Sequence, residues 1–328
     1  MLKNKTLKMI LEDPAIADIA PDAISKWDLS REEFYHWTLQ EIADRMGWRI
    51  LERGFDRLFE AAQQSYYFPL YTGEECQAAP EKKGRNIVWF PSADKAADSR
   101  PFIMLVPGGG FVNVWNLTEG WPVAQQFNAL GYHVFILTYQ VGVEAAAVKA
   151  MDDMAKALEI IRLRKNEFHV NPDRYITCGF PAGGYIVCLW NTEVGYPAFS
   201  LPKPQACFPI YPVTSYRLMD AEEWDEGDDK DAFARSGVGC TMQEACSSCF
   251  DIPTHTEAFP PTAIFVTEED KLVDPEHSKC LARSLEHAGI PCRLEAGPTG
   301  GHGFADGTGM CMEGWPQRAV EWYEQLES

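Results

Sequence analysis

Short, fully apolar runs alternate along this chain with segments of helical periodicity, and this alternation constrains the fold more than any other feature. Residues 101–106 read PFIMLV, 132–139 YHVFILTY, 206–211 ACFPIY and 262–266 TAIFV. Residues 86–90 (NIVWF), 174–178 (RYITC) and 291–295 (PCRLE) are further strand candidates. Runs of this length, without alternation, suit strands buried on both faces. Between two of them, residues 119–130 show helical periodicity and stop at Gly131, a natural helix end, giving a β–α–β unit. Helices are also expected over 151–164, from Gly183 through Trp190, over 276–288 and over 316–326. The predicted class is α/β: a mostly parallel sheet of about eight strands with helices on both faces.

Two segments decorate this frame. Residues 1–66 form a helical N-terminal extension, and 67–328 form the main domain. Ser30 is the expected N-cap of a helix with Glu32 and Glu33 in its first turn. Phe34, Trp37, Thr38 and Ile42 fall at one helical spacing, and Leu51, Phe55, Leu58 and Phe59 at a second. Such an extension packs on the main domain or serves as a lid or a homodimer contact. Residues 216–258 break the strand–helix rhythm with an acidic run and a polar, cysteine-containing stretch, and are expected to be a cap over the strand ends.

Composition excludes some partners. A net charge of -19 repels nucleic-acid phosphates and anionic membranes. No run approaches a membrane span, and no leader pattern opens the chain. The ten cysteines sit in a long chain, several in apolar runs, which reads as reduced thiols in a cytoplasmic protein. Cys240, Cys246 and Cys249, with His255 beyond, offer one Cys-x2-Cys pair and are expected to be packed thiols rather than a metal site.

The chemistry-bearing motifs lie at strand ends. Residues 178–184 read CGFPAGG between a strand and a helix, and 105–111 read LVPGGGF. Asp270 begins an Asp-x-x-Val after one strand, and His302 sits in GGHGF after the last. On these four motifs, in this order, the sequence resembles the α/β-hydrolase superfamily, in particular its small-esterase branch of acetyl-xylan and feruloyl esterases and hormone-sensitive-lipase-like carboxylesterases. The resemblance spans roughly residues 85–327. It implies an ester hydrolase that needs no metal or organic cofactor and takes a small-molecule ester. In that family the turn is Gly-x-Ser-x-Gly. Gly179 and Gly183 match the glycines, and Pro181 stands where the nucleophilic serine belongs. The resemblance assigns Asp270 and His302 to the catalytic pair, and the amides of Gly109, Gly110 and Ala182 to the oxyanion hole.

Proline has no hydroxyl for a histidine to deprotonate. Its φ is fixed near about −65°, so the turn must relax from the positive-φ elbow of the family and Phe180 must leave helical geometry. Cys178, on a buried strand, and Tyr185, on a helix, are poor substitutes. A natural pseudohydrolase that binds a ligand or partner, a serine-to-proline variant, and water activation by His302 all remain compatible with the sequence. Phe111, Trp115 and Phe180 are candidate pocket residues; Trp121 and Trp315 suit a pocket or the core.

Overall fold

The computed structural model of the chain describes residues 2–16, 32–47, 49–224 and 227–327. Among these, eight strands form one sheet: β1 (Tyr67–Pro69), β2 (Asn86–Phe90), β3 (Phe102–Val106), β4 (Val134–Thr138), β5 (Tyr175–Gly179), β6 (Ala206–Pro209), β7 (Thr262–Thr267) and β8 (Cys292–Gly297). Their order is β1-β2-β4-β3-β5-β6-β7-β8. The β1–β2 and β2–β4 pairings are antiparallel, and the rest are parallel. Strands β3, β4, β5 and β7 are buried at every position, as their unbroken apolar sequence requires. Strand β1 went unpredicted, because three residues ending in proline carry no period and proline suits only an edge.

The N-terminal segment holds α1 (Leu7–Leu11), α2 (Glu32–His36), α3 (Leu39–Met46) and α4 (Ile50–Gln64). The expected cap Ser30 lies outside the described residues. The single helix expected through Phe34 and Ile42 is two. Thr38 starts the second with a capping box: its hydroxyl accepts from the Glu41 N–H, and the Glu41 carboxylate accepts from the Thr38 N–H. Beyond the extension come α5 (Gly73–Ala78), α6 (Trp121–Ala129), α7 (Ala146–Leu163), α8 (Lys165–Phe168), α9 (Pro181–Trp190), α10 (Tyr216–Ala221), α11 (Lys230–Val238), α12 (Met242–Cys246), α13 (Glu276–His287) and α14 (Trp315–Glu327). Helix α7 begins five residues before the expected Met151. Its start is fixed by tertiary contact, the Ala145 N–H donating to the Arg235 carbonyl of α11 at 2.9 Å.

The sheet has a core on each face. On one, α4, α6 and α14 bury Phe55, Trp121, Phe127 and Trp315 against Leu105, Phe208 and Phe265. On the other, α7, α9 and α13 bury Met154, Ile161, Ile186 and Leu285 against Met104, Phe135 and Ile264. The extension therefore shares the main core. Helix α4 lies so close to residues 116–120 that a Cβ at Gly54 would sit 2.1 Å from the Leu117 carbonyl oxygen. Residues 216–258 hold α10, α11, α12 and a 3-10 turn (Ile252–Thr254), with no strand among the described residues.

Trp121 and Trp315 belong to the core; both are fully buried. The Trp315 ring meets Phe127, Phe180 and Phe265 at 5.3–6.0 Å, and its N–H donates to the Ala305 carbonyl at 2.9 Å. Trp315→Ala is expected to cost about 3–5 kcal/mol in urea unfolding.

Candidate functional site

The site is assembled at the carboxyl ends of β3, β5, β6, β7 and β8. After β3, three consecutive residues take positive φ: Gly109 at 124°, Gly110 at 59° and Phe111 at 61°. The bend lets the Gly109 carbonyl accept from the Val112 and Asn113 amides at 3.1 and 3.2 Å. It leaves no room for a side chain, since a Cβ at Gly109 would lie 2.2 Å from the Asn113 oxygen. Among the described residues, the Gly109 and Gly110 N–H groups donate to no protein acceptor.

After β5 comes Pro181, and the backbone there is relaxed, as the ring demands. Phe180 is extended at φ −113° and ψ 158°, and Pro181 is the first residue of α9. The helix expected from Gly183 thus starts two residues earlier, because proline suits a first helical turn. The Gly184 N–H closes that turn on the Phe180 carbonyl at 2.6 Å. Ala182, in the same turn, has an amide without an intrahelical acceptor. A Cβ at Gly183 would lie 2.0 Å from the Val106 carbonyl oxygen, so α9 and the glycine loop touch backbone to backbone.

Asp270, beyond β7, has a fully buried carboxylate. One oxygen accepts from the Leu272 and Val273 amides, both at 3.0 Å, and the other faces His302 Nδ1 at 2.7 Å. The His302 side chain is 15% exposed. Gly300, Gly301 and Gly303 bend its loop at positive φ, and Thr267 donates to the Gly301 carbonyl at 2.8 Å. The Asp270–His302 pair expected from the sequence is formed, and the loop carrying Gly109 and Gly110 packs against the turn carrying Pro181 and Ala182.

Two residues not foreseen complete the site. Glu119 lies in a π-helical turn (Asn116–Gly120), a rare geometry that often marks functional sites. Its carboxylate accepts from the Gly108 N–H at 2.7 Å and from the Tyr211 hydroxyl at 3.1 Å. Tyr211, at φ 37°, accepts in turn from the Ala305 N–H at 3.1 Å, and its ring centroid is 4.8 Å from that of His302. A Cβ at Gly108 would meet both a Glu119 oxygen and Pro181 Cδ at 2.8 Å. The only hint in the sequence is one acid inside an apolar stretch, which reads equally well as a solvated first-turn residue.

Burial pushes the Glu119 carboxyl up to about 7, against the Gly108 amide, His302 and the Tyr211 hydroxyl, which pull it down. A folded-state value above the unfolded 4.5 gives stability that is full below about pH 4.5 and lost as pH rises to about 7. The loss is about 3 kcal/mol. Glu119→Gln should remove most of this slope between pH 5 and 8 in urea titrations. Buried Asp153, held up at about 6 mainly by desolvation, leaves a residual slope in both chains.

Phe180 does not line a pocket: it is fully buried between Tyr211 and Trp315, at ring distances of 5.7 and 6.0 Å. As the last residue before α9, its side chain turns into the core. Phe111 is half-buried with its ring 6.2 Å from Tyr185. Trp115 is half-buried next to the glycine loop, its N–H donating to the Gly108 carbonyl through the backbone at 3.0 Å. Cys178 is fully buried and desolvation holds its thiol well above the ordinary range; Tyr185 is buried with its hydroxyl bound to the Phe250 carbonyl at 2.9 Å. His255 pairs with Glu193 at 2.7 Å, and no three His, Cys, Asp or Glu among the described residues could hold a metal ion. Among the described residues no helix is long and apolar enough to cross a membrane. A groove of 660 Å³ lined by Tyr71, Lys82, Asp152 and Phe199 includes none of the site residues.

Residues 103–306 match a protein family described as the alpha/beta hydrolase fold. An acetylxylan esterase of Xylanibacter ruminicola is 24% identical over 207 residues, 63% of this chain and 41% of the relative. A Butyrivibrio fibrisolvens protein named endo-1,4-beta-xylanase B is 23% identical over 228 residues, 66% of this chain and 34% of the relative. The chain therefore spans well under half the length of these curated relatives. Among solved structures, an acetyl ester-xyloside bifunctional hydrolase from Caldicellulosiruptor lactoaceticus superposes with a TM-score of 0.65 at 21% identity, covering 80% of this chain and 96% of that one. A Thermogutta terrifontis esterase superposes with a TM-score of 0.59 at 20% identity, covering 74% and 89%.

Proposed function

We propose, for a chain that belongs to the alpha/beta hydrolase family, a site for small acyl esters that has lost its attacking hydroxyl at Pro181. The alpha/beta hydrolase fold is the established part of this reading. The observation that carries the rest is the 2.7 Å Asp270–His302 pair, linked through Tyr211 and Glu119 to a glycine loop that packs on a helix start headed by a residue that can neither attack nor ionise. In a serine-bearing version of this site, the hydroxyl would attack the ester carbonyl while His302 takes its proton. Asp270 would hold the imidazole tautomer, and the Gly109, Gly110 and Ala182 amides would meet the oxyanion. With proline the first step has no nucleophile, so the chain turns over little or no ester by this route. The xylan-linked names of two relatives favour an acyl group on a sugar. Turnover of a short-chain nitrophenyl ester by the unmodified and Pro181→Ser chains tests the proposal.

A second reading is a non-catalytic ligand-binding module. It is favoured by the relaxed backbone at Phe180 and Pro181, which sits within a regular helix start instead of a strained elbow. It expects Pro181→Ser to stay inactive.

A further inference from the structure

We infer that Glu119 is a positioning residue, a buried carboxylate that fixes the oxyanion loop by bridging three loops of the site. The inference deepens the esterase reading, but its principal test does not depend on activity.

The bridge is a continuous chain of hydrogen bonds. The Ala305 N–H, beyond His302, donates to the Tyr211 hydroxyl at 3.1 Å; that hydroxyl donates to one Glu119 oxygen at 3.1 Å. The other Glu119 oxygen accepts from the Gly108 N–H at 2.7 Å, immediately before Gly109 and Gly110. The loops after β3, β6 and β8 therefore meet at a single carboxylate. An ionised carboxylate accepts both bonds at once. A protonated carboxyl or a glutamine keeps an acceptor for Gly108 but turns an O–H or NH2 toward Tyr211, whose hydroxyl must then rotate away and give up its own donation. The carboxylate is also held from behind. Gly54 of α4 packs its backbone on Leu117 in the same π-helical turn, and Arg53 of α4 pairs at 2.8 Å with Asp306, just past the histidine loop. The titratable groups facing Glu119 are Tyr211 after β6, His302 after β8 and Tyr139 after β4; the Tyr139 hydroxyl donates to the Pro107 carbonyl at 2.9 Å. Among the described residues no lysine or arginine pairs with it.

Hydrogen exchange of the Gly108 amide, compared at one pH between the unmodified and Glu119→Ala chains, tests this. Protection should fall at least about tenfold in Glu119→Ala, which leaves the Gly108 amide without its 2.7 Å acceptor, while the amides of β3 and β5 keep theirs. Equal Gly108 protection in the two chains would overturn the inference, and unchanged exchange of the β3 and β5 amides shows that the variant folds. In the Pro181→Ser background, Glu119→Gln should lower kcat about tenfold with little change in KM, the mark of a misplaced oxyanion donor. If Pro181→Ser is inactive while the protection difference is present, the positioning role stands and the esterase reading fails.

Discussion

Pro181→Ser is expected to raise hydrolysis of a short-chain nitrophenyl ester by at least about a thousandfold over the unmodified chain, with about a millionfold as the ceiling set by nucleophile loss in comparable hydrolases. The range follows from the backbone. A serine restores the attacking oxygen and frees residue 181 from the proline φ, but the turn must then bend back into the left-handed region. Packing allows it: Gly179 and Gly183 have no Cβ, and at either position one would strike neighbouring backbone at 2.0–2.3 Å. The energy spent on that bend separates the floor from the ceiling. His302→Ala in the same background should return the rate to baseline, because among the described residues no other imidazole contacts Asp270.

Asp270→Asn in the Pro181→Ser chain is expected to lower kcat about ten-thousandfold. One Asp270 oxygen is committed to the Leu272 and Val273 amides, so an asparagine must turn its carbonyl toward them. Its NH2 then faces His302 Nδ1, where a carboxylate oxygen stood at 2.7 Å. That orientation places the imidazole proton on Nε2, the atom that must accept the nucleophile's proton. The fold should tolerate the change, since shape and both amide bonds are kept. Pre-steady-state kinetics on the double variant checks it, and a loss of tenfold or less would place the imidazole tautomer under other control.

The architecture was legible where the code is local. Buried parallel strands announce themselves as apolar runs, and the glycine loop, the Asp270 turn and the His302 loop are strand-end motifs readable by residue type and spacing. What was illegible depends on tertiary contact. Glu119 looks like any acid opening a helix; only the packing of α4 and the approach of Tyr211 make it a buried hub. Tyr211 reads as the last residue of a strand, and nothing in ACFPIY reveals that its hydroxyl spans two loops. Phe180 is apolar and adjacent to the motif, which fits a pocket wall and a core plug equally well. The β-backbone imposed by the following proline sends it into the core. Thr38 shows the same limit in the extension, where a capping box outweighs an uninterrupted apolar period.

The absence of an attacking group at position 181 is tested most directly by intact-mass analysis after exposure to a fluorophosphonate, which needs no substrate to be known. The unmodified chain should keep its mass, and the Pro181→Ser chain should gain one phosphonyl group mapped to position 181. A stoichiometric adduct on the unmodified chain, lost in His302→Ala, would contradict the account by showing that another side chain attacks.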